Sequence, residues 1–233
     1  IDPVADLATI QVSQAVGFED DGRTKGNTEN KDGTIDDIEN SIPLEIEVSS
    51  DDKDGSETFD VTISDIPTDA VIYYGGVLQA QTGNNITIVD FDNATSLVIV
   101  PPHNSDADFT LNVSAKTIDG TNVADPTVTT IDVIVKNVAD APVETELKTN
   151  INVDEDNQLN LLDIYTTPTD LASYDDSEVL TVKIDLPTGF TIDSGSPYYV
   201  EEGMYVVKAS DIQAGTIKLN VPSNLSGEAS FDL

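Results

Sequence analysis

Residues 50–68 read SDDKDGSETFDVTISDIPT, and residues 173–189 read SYDDSEVLTVKIDLPTG. In both stretches a cluster of acidic residues leads into a run that alternates apolar and polar residues. Asp54–Glu57 corresponds to Asp175–Glu178 at an offset of 121 residues. A repeat of this size indicates a chain of similar domains rather than one enzyme. The acidic residues at its centre suggest that calcium joins the repeats.

The alternation predicts β-strands. Polar residues separate Phe59, Val61 and Ile63, and a period of two is typical of half-buried strands in antiparallel sheets. Further strand-like runs occur at 42–48, 86–90, 96–100, 109–116, 127–135, 179–185, 204–208 and 216–221. Helical turns are expected only near 158–165 or 209–214. We therefore predict an all-β protein of antiparallel β-sandwiches in tandem.

A second recurring stretch marks the boundary between the sandwiches. NVADAPV at Asn137–Val143 resembles IDPVAD at the opening Ile1–Asp6, since each combines Val-Ala-Asp with a proline before a new strand. We place the first domain at 1–140, with an inserted acidic loop, and the second at 141–233. The short linker contains proline, which favours a stiff joint.

The second domain is predicted to be incomplete. Ile63–Pro67 recurs as Ile184–Thr188, but Asn104–Leu111 recurs only in weakened form, at Ser226–Leu233. The first domain continues beyond this point with further strands, so we expect the second sandwich to lack its last strands in this chain. Truncation, disorder, strands supplied from elsewhere and displacement by an insertion are the alternatives. In each case we expect an open sheet edge, which tends to find a partner.

Composition excludes several classes of partner. Asp and Glu number 44 against 10 Lys and Arg, a formal charge of -34, so no basic surface exists for nucleic acid. Solubility alone, or a saline habitat, would also explain an acidic surface. No apolar run approaches the ~18 residues of a membrane span, so we expect no membrane insertion. Cysteine is absent, which makes a metal the more plausible cross-link. The first residues are neither a start methionine nor a signal peptide, which suggests a fragment of a longer chain.

An additional calcium loop is predicted within the first domain, at about residues 21–39, where the second domain has no counterpart. When Thr28–Glu39 is laid on the twelve-residue EF-hand loop, Gly33 falls at the sharp turn and Ile35 at the apolar anchor. The ligand positions fall on Asn30, Asp32, Asp36 and Glu39. Thr28 stands where an aspartate is required, so we predict a calcium loop of similar form rather than an EF-hand. An ordinary acidic surface loop is the alternative.

No motif indicates an enzyme. The only histidine is His103, which we interpret as a surface turn residue, and no nucleophile elbow or phosphate-binding loop occurs. A glycosidase built on paired carboxylates would ordinarily present aromatic platforms, and tryptophan is absent. Tyr73–Gly76 and Tyr198-Tyr199 are candidates for ligand contact, although packing at a strand edge is the favoured interpretation.

The order and spacing of these motifs resemble the cadherin-like extender repeats of giant bacterial RTX adhesins, over nearly the whole chain. The motifs that carry the resemblance are Val138–Pro142, Glu19-Asp20, Asp54–Glu57, Ile63–Pro67 and Pro102–Phe109, with second copies at Glu155-Asp156, Asp175–Glu178 and Ile184–Thr188. The resemblance implies immunoglobulin-like sandwiches strung end to end, with calcium near the joints stiffening a rod. It also implies type I secretion to the bacterial cell surface and a role in cell adhesion or biofilm formation.

By this resemblance, calcium ligands of the first unit would be Glu19, Asp20, Asp54, Glu57, Asp106 and Asp108. Those of the joint and the second unit would be Asp140, Glu155, Asp156, Asp175 and Glu178. Asp176 replaces the glycine of the first copy, so the second unit is expected to bind fewer ions. Neighbouring repeats of the same chain are the expected partners, together with a surface glycan or protein ligand. The alternatives are a ligand-binding split domain of the same adhesin and an S-layer or cell-wall accessory domain.

Overall fold

The computed structural model describes residues 4–23, 35–138, 152–163, 181–192, 199–201, 204–224 and 227. The chain divides into two compact units, Ile1–Ala141 and Pro142–Leu233. Strands in mainly antiparallel sheets are the dominant regular structure of the described residues, which confirms the all-β prediction. Helical structure there consists of α1 (Ala209–Gln213) and the 3-10 turns Ile38–Asn40 and Leu161–Asp163. None of these helices has the length and apolar character needed to cross a bilayer.

Unit 1 contains twelve of the described strands. They are β1 (Thr9–Val12), β2 (Ala15–Phe18), β3 (Ile42–Pro43), β4 (Ile46–Ser49), β5 (Glu57–Ser64), β6 (Val71–Tyr74), β7 (Val77–Leu78), β8 (Ile86–Ile88), β9 (Leu97–Val100), β10 (Phe109–Asp119), β11 (Asn122–Val123) and β12 (Thr127–Lys136). One sheet has the order β2-β12-β10-β5-β8, with β11 paired to β10; a second has the order β3-β9-β6-β7. β1 pairs with β4. The pairing of β2 with β12 is parallel, whereas the other pairs are antiparallel.

Both sheets contribute to one hydrophobic core. Alternate residues of β10, including Leu111 and Val113, are fully buried, as the period of two predicts. They belong to the same cluster as Ile42, Ile72 and Ile99 of the second sheet. Unit 1 is therefore a β-sandwich in which branched aliphatic side chains pack between the inner faces of the two sheets.

The stretch 42–48, predicted as one strand, is two strands. β3 pairs with β9, and after Leu44-Glu45 the chain continues as β4, which pairs with β1. Proline cannot donate a ladder hydrogen bond, so Pro43 at the end of β3 favours this break. The short strands β1 and β2 lie outside the runs that alternation identified, because each has only four residues.

Unit 2 contains β13 (Gln158–Asn160), β14 (Thr181–Asp185), β15 (Thr191–Ile192), β16 (Tyr199–Glu201), β17 (Met204–Lys208) and β18 (Lys218–Asn220). Its described strands form two three-stranded sheets, β13-β18-β15 and β14-β17-β16. Leu161, Ile184, Val207, Ile212 and Leu219 are buried together in a separate core.

The sequence repeat corresponds to a similar antiparallel strand pairing in each unit. Val61 of β5 pairs with Ile88 of β8, and Val182 of β14 pairs with Val207 of β17. After each of β5 and β14 a proline carbonyl accepts a hydrogen bond from the third residue beyond it, at 3.2 Å for Pro67 and 3.1 Å for Pro187. The segment between strand and proline is one residue shorter in unit 2, so the offset of 121 changes to 120 at the proline.

Candidate metal centre

Two acidic residues lie opposite each other where β5 begins. Glu57, the first residue of β5, lies directly opposite Asp119, the last residue of β10. Directly opposite residues share a face of the sheet, and here that face is the core side, where Asp119 is only 7% exposed. Like charges in this arrangement are destabilising. We call this region, with Ser50 and Asp54, the Glu57 end of unit 1.

Hydrogen bonds hold Glu57 in place. Its Oε1 accepts from the backbone N–H of Asp6 at 2.8 Å, and its Oε2 accepts a short hydrogen bond from the Ser50 hydroxyl. No hydrogen bond or ion pair among the described residues involves the Asp119 carboxylate. Within the described part of the chain, no lysine or arginine therefore forms an ion pair with Glu57 or Asp119.

Asp54 occupies the exposed turn beside this pair. Its Oδ1 accepts a hydrogen bond from the backbone N–H of Ser56 at 2.8 Å. Hydrogen bonds from the Ser56 hydroxyl and backbone lower the pKa of Asp54, so the carboxylate is ionised over a wide pH range. Sequence reasoning chose Asp54 and Glu57 but missed Asp119, whose only signal is its register opposite Glu57.

The other predicted ligands of unit 1 lie at the opposite end of the sandwich, which we call the Glu19 end. Glu19 follows β2 directly and is buried; its Oε1 accepts from the backbone N–H of Val138 at 2.6 Å. Asp108 precedes β10, and its Oδ1 accepts from the backbone N–H of Val135 at 2.9 Å. Asp20 and Asp106 are half-buried in the neighbouring turns. Glu19 and Asp108 thus tie the end of β12 to the strands beside it.

The most buried carboxylate at this end is Asp37. It is 4% exposed, and its backbone N–H donates to the carbonyl of Gly22 at 3.1 Å. Its Oδ2 accepts from Asn40 Nδ2 at 2.7 Å, whereas Oδ1 is buried and accepts no hydrogen bond within the described part of the chain. The hydroxyl oxygen of Ser41, a residue that is 6% exposed, is also buried and has no hydrogen-bond partner within the described part of the chain.

Asp37 is a residue that sequence reasoning missed. The EF-hand alignment selected Asp36 and Glu39, and both side chains are exposed to solvent. No periodic signal distinguishes Asp37 from its neighbour Asp36, because the segment is neither a strand nor a long helix. Tertiary contact with the turn at Gly22 decides which carboxylate points inward.

Arg23 is the chain's single arginine and is 4% exposed. Its Nη2 donates to the carbonyl of Pro101 at 2.7 Å. Burial lowers the pKa of Arg23, while the negative charges of Asp20 and Asp69 oppose that change. One protein cation therefore already offsets part of the acidic charge at the Glu19 end. Burial likewise raises the pKa of the adjacent Asp21, partly offset by a hydrogen bond from the Phe18 backbone.

The two ends cannot share an ion. They are separated by the length of β10, eleven residues, or roughly 35 Å at the rise of an antiparallel strand. The six ligands that the resemblance implies for unit 1 thus divide into Asp54 and Glu57 at one end and the remaining four at the other. Among the residues that the structure describes, no three carboxylate or histidine side chains form a ready-made metal-binding group.

The remaining predicted ligands are placed only in part. Glu155 and Asp156 are exposed in the turn before β13. Five others lie outside the described residues: Asn30, Asp32, Asp140, Asp175 and Glu178.

The oxygens that are present fit calcium chemically. Calcium takes six to eight oxygen ligands from carboxylates, carbonyls, hydroxyls and water in flexible geometry. Asp37 Oδ1 and Ser41 Oγ are buried oxygens that need a partner, and Glu57 and Asp119 form a carboxylate pair that needs a positive charge. A site at either end would combine one or two carboxylates with neutral oxygens.

Two residues considered for other roles have structural contacts. Tyr74 stacks on Phe91 with ring centroids 5.5 Å apart, and its hydroxyl accepts from the backbone N–H of Asp92 at 2.7 Å. His103 lies in a turn, as predicted, and is half-buried, with its Nε2 shielded from solvent. Packing, as favoured from the sequence, accounts for Tyr74.

Comparisons with protein-family models, with curated proteins and with solved structures found no match to this chain.

Proposed function

We propose that this chain is a calcium-binding extender of a large bacterial surface adhesin, built from immunoglobulin-like (cadherin-like) units and acting outside the cell in adhesion or biofilm formation. The observation that carries the proposal is the opposed pair of half-buried Glu57 and buried Asp119 at one end of unit 1, with a set of buried oxygens at the other end. Acidic groups at both ends of a sandwich suit a module that joins its neighbours end to end.

At the Glu57 end, Glu57 and Asp119 would hold the ion; at the Glu19 end, Asp37 and Ser41 would. Calcium, when bound, supplies the positive charge that offsets the repulsion between these carboxylates. The protein's own contribution is placement, because Ser50 and the backbone of Asp6 orient Glu57, and Asn40 orients Asp37.

The strand arrangement supports an immunoglobulin-like sandwich. β1 pairs with β4 and β2 pairs in parallel with β12, so the first segment of the chain contacts both layers of unit 1. A structural role rather than catalysis is supported by the location of the buried acidic groups at the ends of the sandwich, where they line no groove of the described residues.

The test is thermal unfolding of the chain in EDTA, in calcium and in an equal concentration of magnesium. Extracellular calcium modules bind at about 0.1–1 mM, so calcium at about 10 mM should add about 1.4 to 2.7 kcal/mol per site. Magnesium controls for general screening of the acidic surface, because it requires a stricter octahedral geometry. Equal melting temperatures in calcium and magnesium would overturn the proposal.

A further inference from the structure

A groove of about 500 Å³ opens in unit 1 between β4 and the loop that leads into β9. The volume lies within the range of small-ligand sites. Leu44, Ile46 and Leu97 line its apolar floor, and Glu45, Glu47 and Ser96 contribute polar groups. The lining includes none of Glu57, Asp119, Asp37 and Ser41, so the groove is separate from both candidate metal sites.

The groove opens at one residue, Ile46, on the edge of this segment that faces away from β1. The residues two before and two after it are hydrogen-bonded on that edge, and Ile46 is not. Leu44 donates its backbone N–H to the carbonyl of Leu97 at 2.9 Å. Val48, the last but one residue of β4, donates its N–H to Asn93 Oδ1 and accepts from Asn93 Nδ2 through its carbonyl, both at 2.9 Å. Ile46 lies midway between these two points of attachment.

The backbone of Ile46 points into the groove. In an antiparallel pair, residues alternate between those that bond the partner strand and those that point away from it. Ser13 donates to the carbonyl of Glu45, so the odd-numbered residues of this segment face β1 and the even-numbered ones face the groove. Ile46 is paired with Val12 at a position where the strands do not exchange hydrogen bonds, and among the described residues no turn, loop or side chain bonds its N–H or C=O; the residue is 7% exposed.

Asn93 shows which chemical group fits such a position. A primary carboxamide has a C=O and an N–H on one edge, so it can bond the N–H and C=O of one strand residue together. Asn93 does this at Val48. A secondary amide in the trans form presents its N–H and C=O on opposite sides, and a carboxylate has no proton to donate.

We propose that the groove binds a primary carboxamide, the side chain of Asn or Gln in a partner peptide, on the N–H and C=O of Ile46. The bound amide forms with Ile46 the same two hydrogen bonds that the Asn93 side chain forms with Val48, two residues further along β4. The exposed carboxylates of Glu45 and Glu47 flank the groove, so basic residues beside the Asn or Gln complement its charge. This binding is independent of calcium.

The probe is the peptide acetyl-Lys-Gln-Lys with a free carboxyl terminus, added to the isotope-labelled chain in EDTA and followed by NMR. Peptides with Glu or Met in place of Gln match its length and separate hydrogen bonding from size and charge. The Gln peptide should shift the Ile46 amide resonance with a Kd of about 1 mM or tighter. The Glu and Met peptides should bind at least about tenfold more weakly, because each leaves a buried backbone group unpaired.

Two exposed alanines provide matched variants. Ala94→Phe fills the groove, whereas Ala107→Phe adds the same side chain at the Glu19 end. Binding of the Gln peptide should be lost in the first variant and kept in the second. Equal binding of all three peptides, binding that survives Ala94→Phe, or an Ile46 resonance that no peptide shifts would each overturn the proposal.

Discussion

Asp119→Asn and Asp60→Asn form a matched pair that tests whether the Glu57 end needs a cation. Both aspartates are 7% exposed, and both belong to the ladder between β5 and β10. Asp60 lies opposite Lys116, whose Nζ is 3.2 Å from its carboxylate, whereas Asp119 lies opposite Glu57. The same substitution thus removes an attraction at one site and a repulsion at the other.

The expected effects differ in sign. Two unit charges about 6 Å apart repel by about 0.7 kcal/mol in water and about 3 kcal/mol at an effective dielectric of about 20. Because Glu57 is half-buried, we expect Asp119→Asn to stabilise unit 1 by about 1.5 kcal/mol in EDTA, or about 5 °C in melting temperature. Asp60→Asn should destabilise it by about 1 kcal/mol, because Lys116 is partly exposed.

In calcium, Asp119→Asn should be less stable than the unsubstituted chain, the opposite of its effect in EDTA. The effect of Asp60→Asn should be the same in calcium as in EDTA. If Asp119 is a ligand, Asp119→Asn loses most of the calcium-dependent rise in melting temperature, whereas Asp60→Asn keeps it. The assay is calorimetric or fluorescence-detected unfolding of each variant with EDTA and with calcium. The reasoning is refuted if Asp119→Asn destabilises the chain in EDTA as Asp60→Asn does, and retains the full response to calcium.

Two further predictions concern the turn after β2. Burial raises the pKa of Asp21 in the native state, so folding favours its protonated form and the cost of the charge is largest above that pKa. Asp21→Asn should therefore raise the melting temperature at neutral pH in EDTA, with a difference that shrinks as the pH falls and vanishes below about 3.9; a difference that grows on acidification would contradict this. Gly22→Ala should cost about 2 kcal/mol or more, because φ is +88° and a Cβ would lie 2.5 Å from Ser41 Oγ. Gly76→Ala is the control, with φ of +75° and no atom within 4 Å, and should cost about 1 kcal/mol in denaturant unfolding; equal costs would show that the crowding at Gly22 has no effect.

The fold class could be predicted from sequence because the long strands have a clear period. In β5 and β10, apolar side chains at every second position enter one core. These strands have eight and eleven residues, and a loop does not keep a period of two over that length. Strands of two to four residues, such as β2 and β7, carry too few positions for a period to be visible. Their pairing depends on the neighbouring strands.

The candidate site was predictable by residue type but not by geometry. Acidic motifs identified Asp54 and Glu57, whereas Asp119 enters only through the register of β10 against β5. The inward orientation of Asp37 likewise depends on a contact with Gly22, which is distant in sequence. Alternation and spacing describe local structure, and a metal site is assembled from residues whose proximity is tertiary.

The location of the buried acidic groups limits what calcium would do in this molecule. Val61, Ile63 and Leu111 are fully buried midway along the sandwich, and this core is built without charged groups. Glu57 and Asp119 lie where β5 and β10 meet at one end, and Glu19 and Asp37 lie at the other. On the proposed function, removal of calcium would increase repulsion between strand ends and leave the core intact. The ion would then control the stiffness of the joints, while the aliphatic core determines whether unit 1 folds.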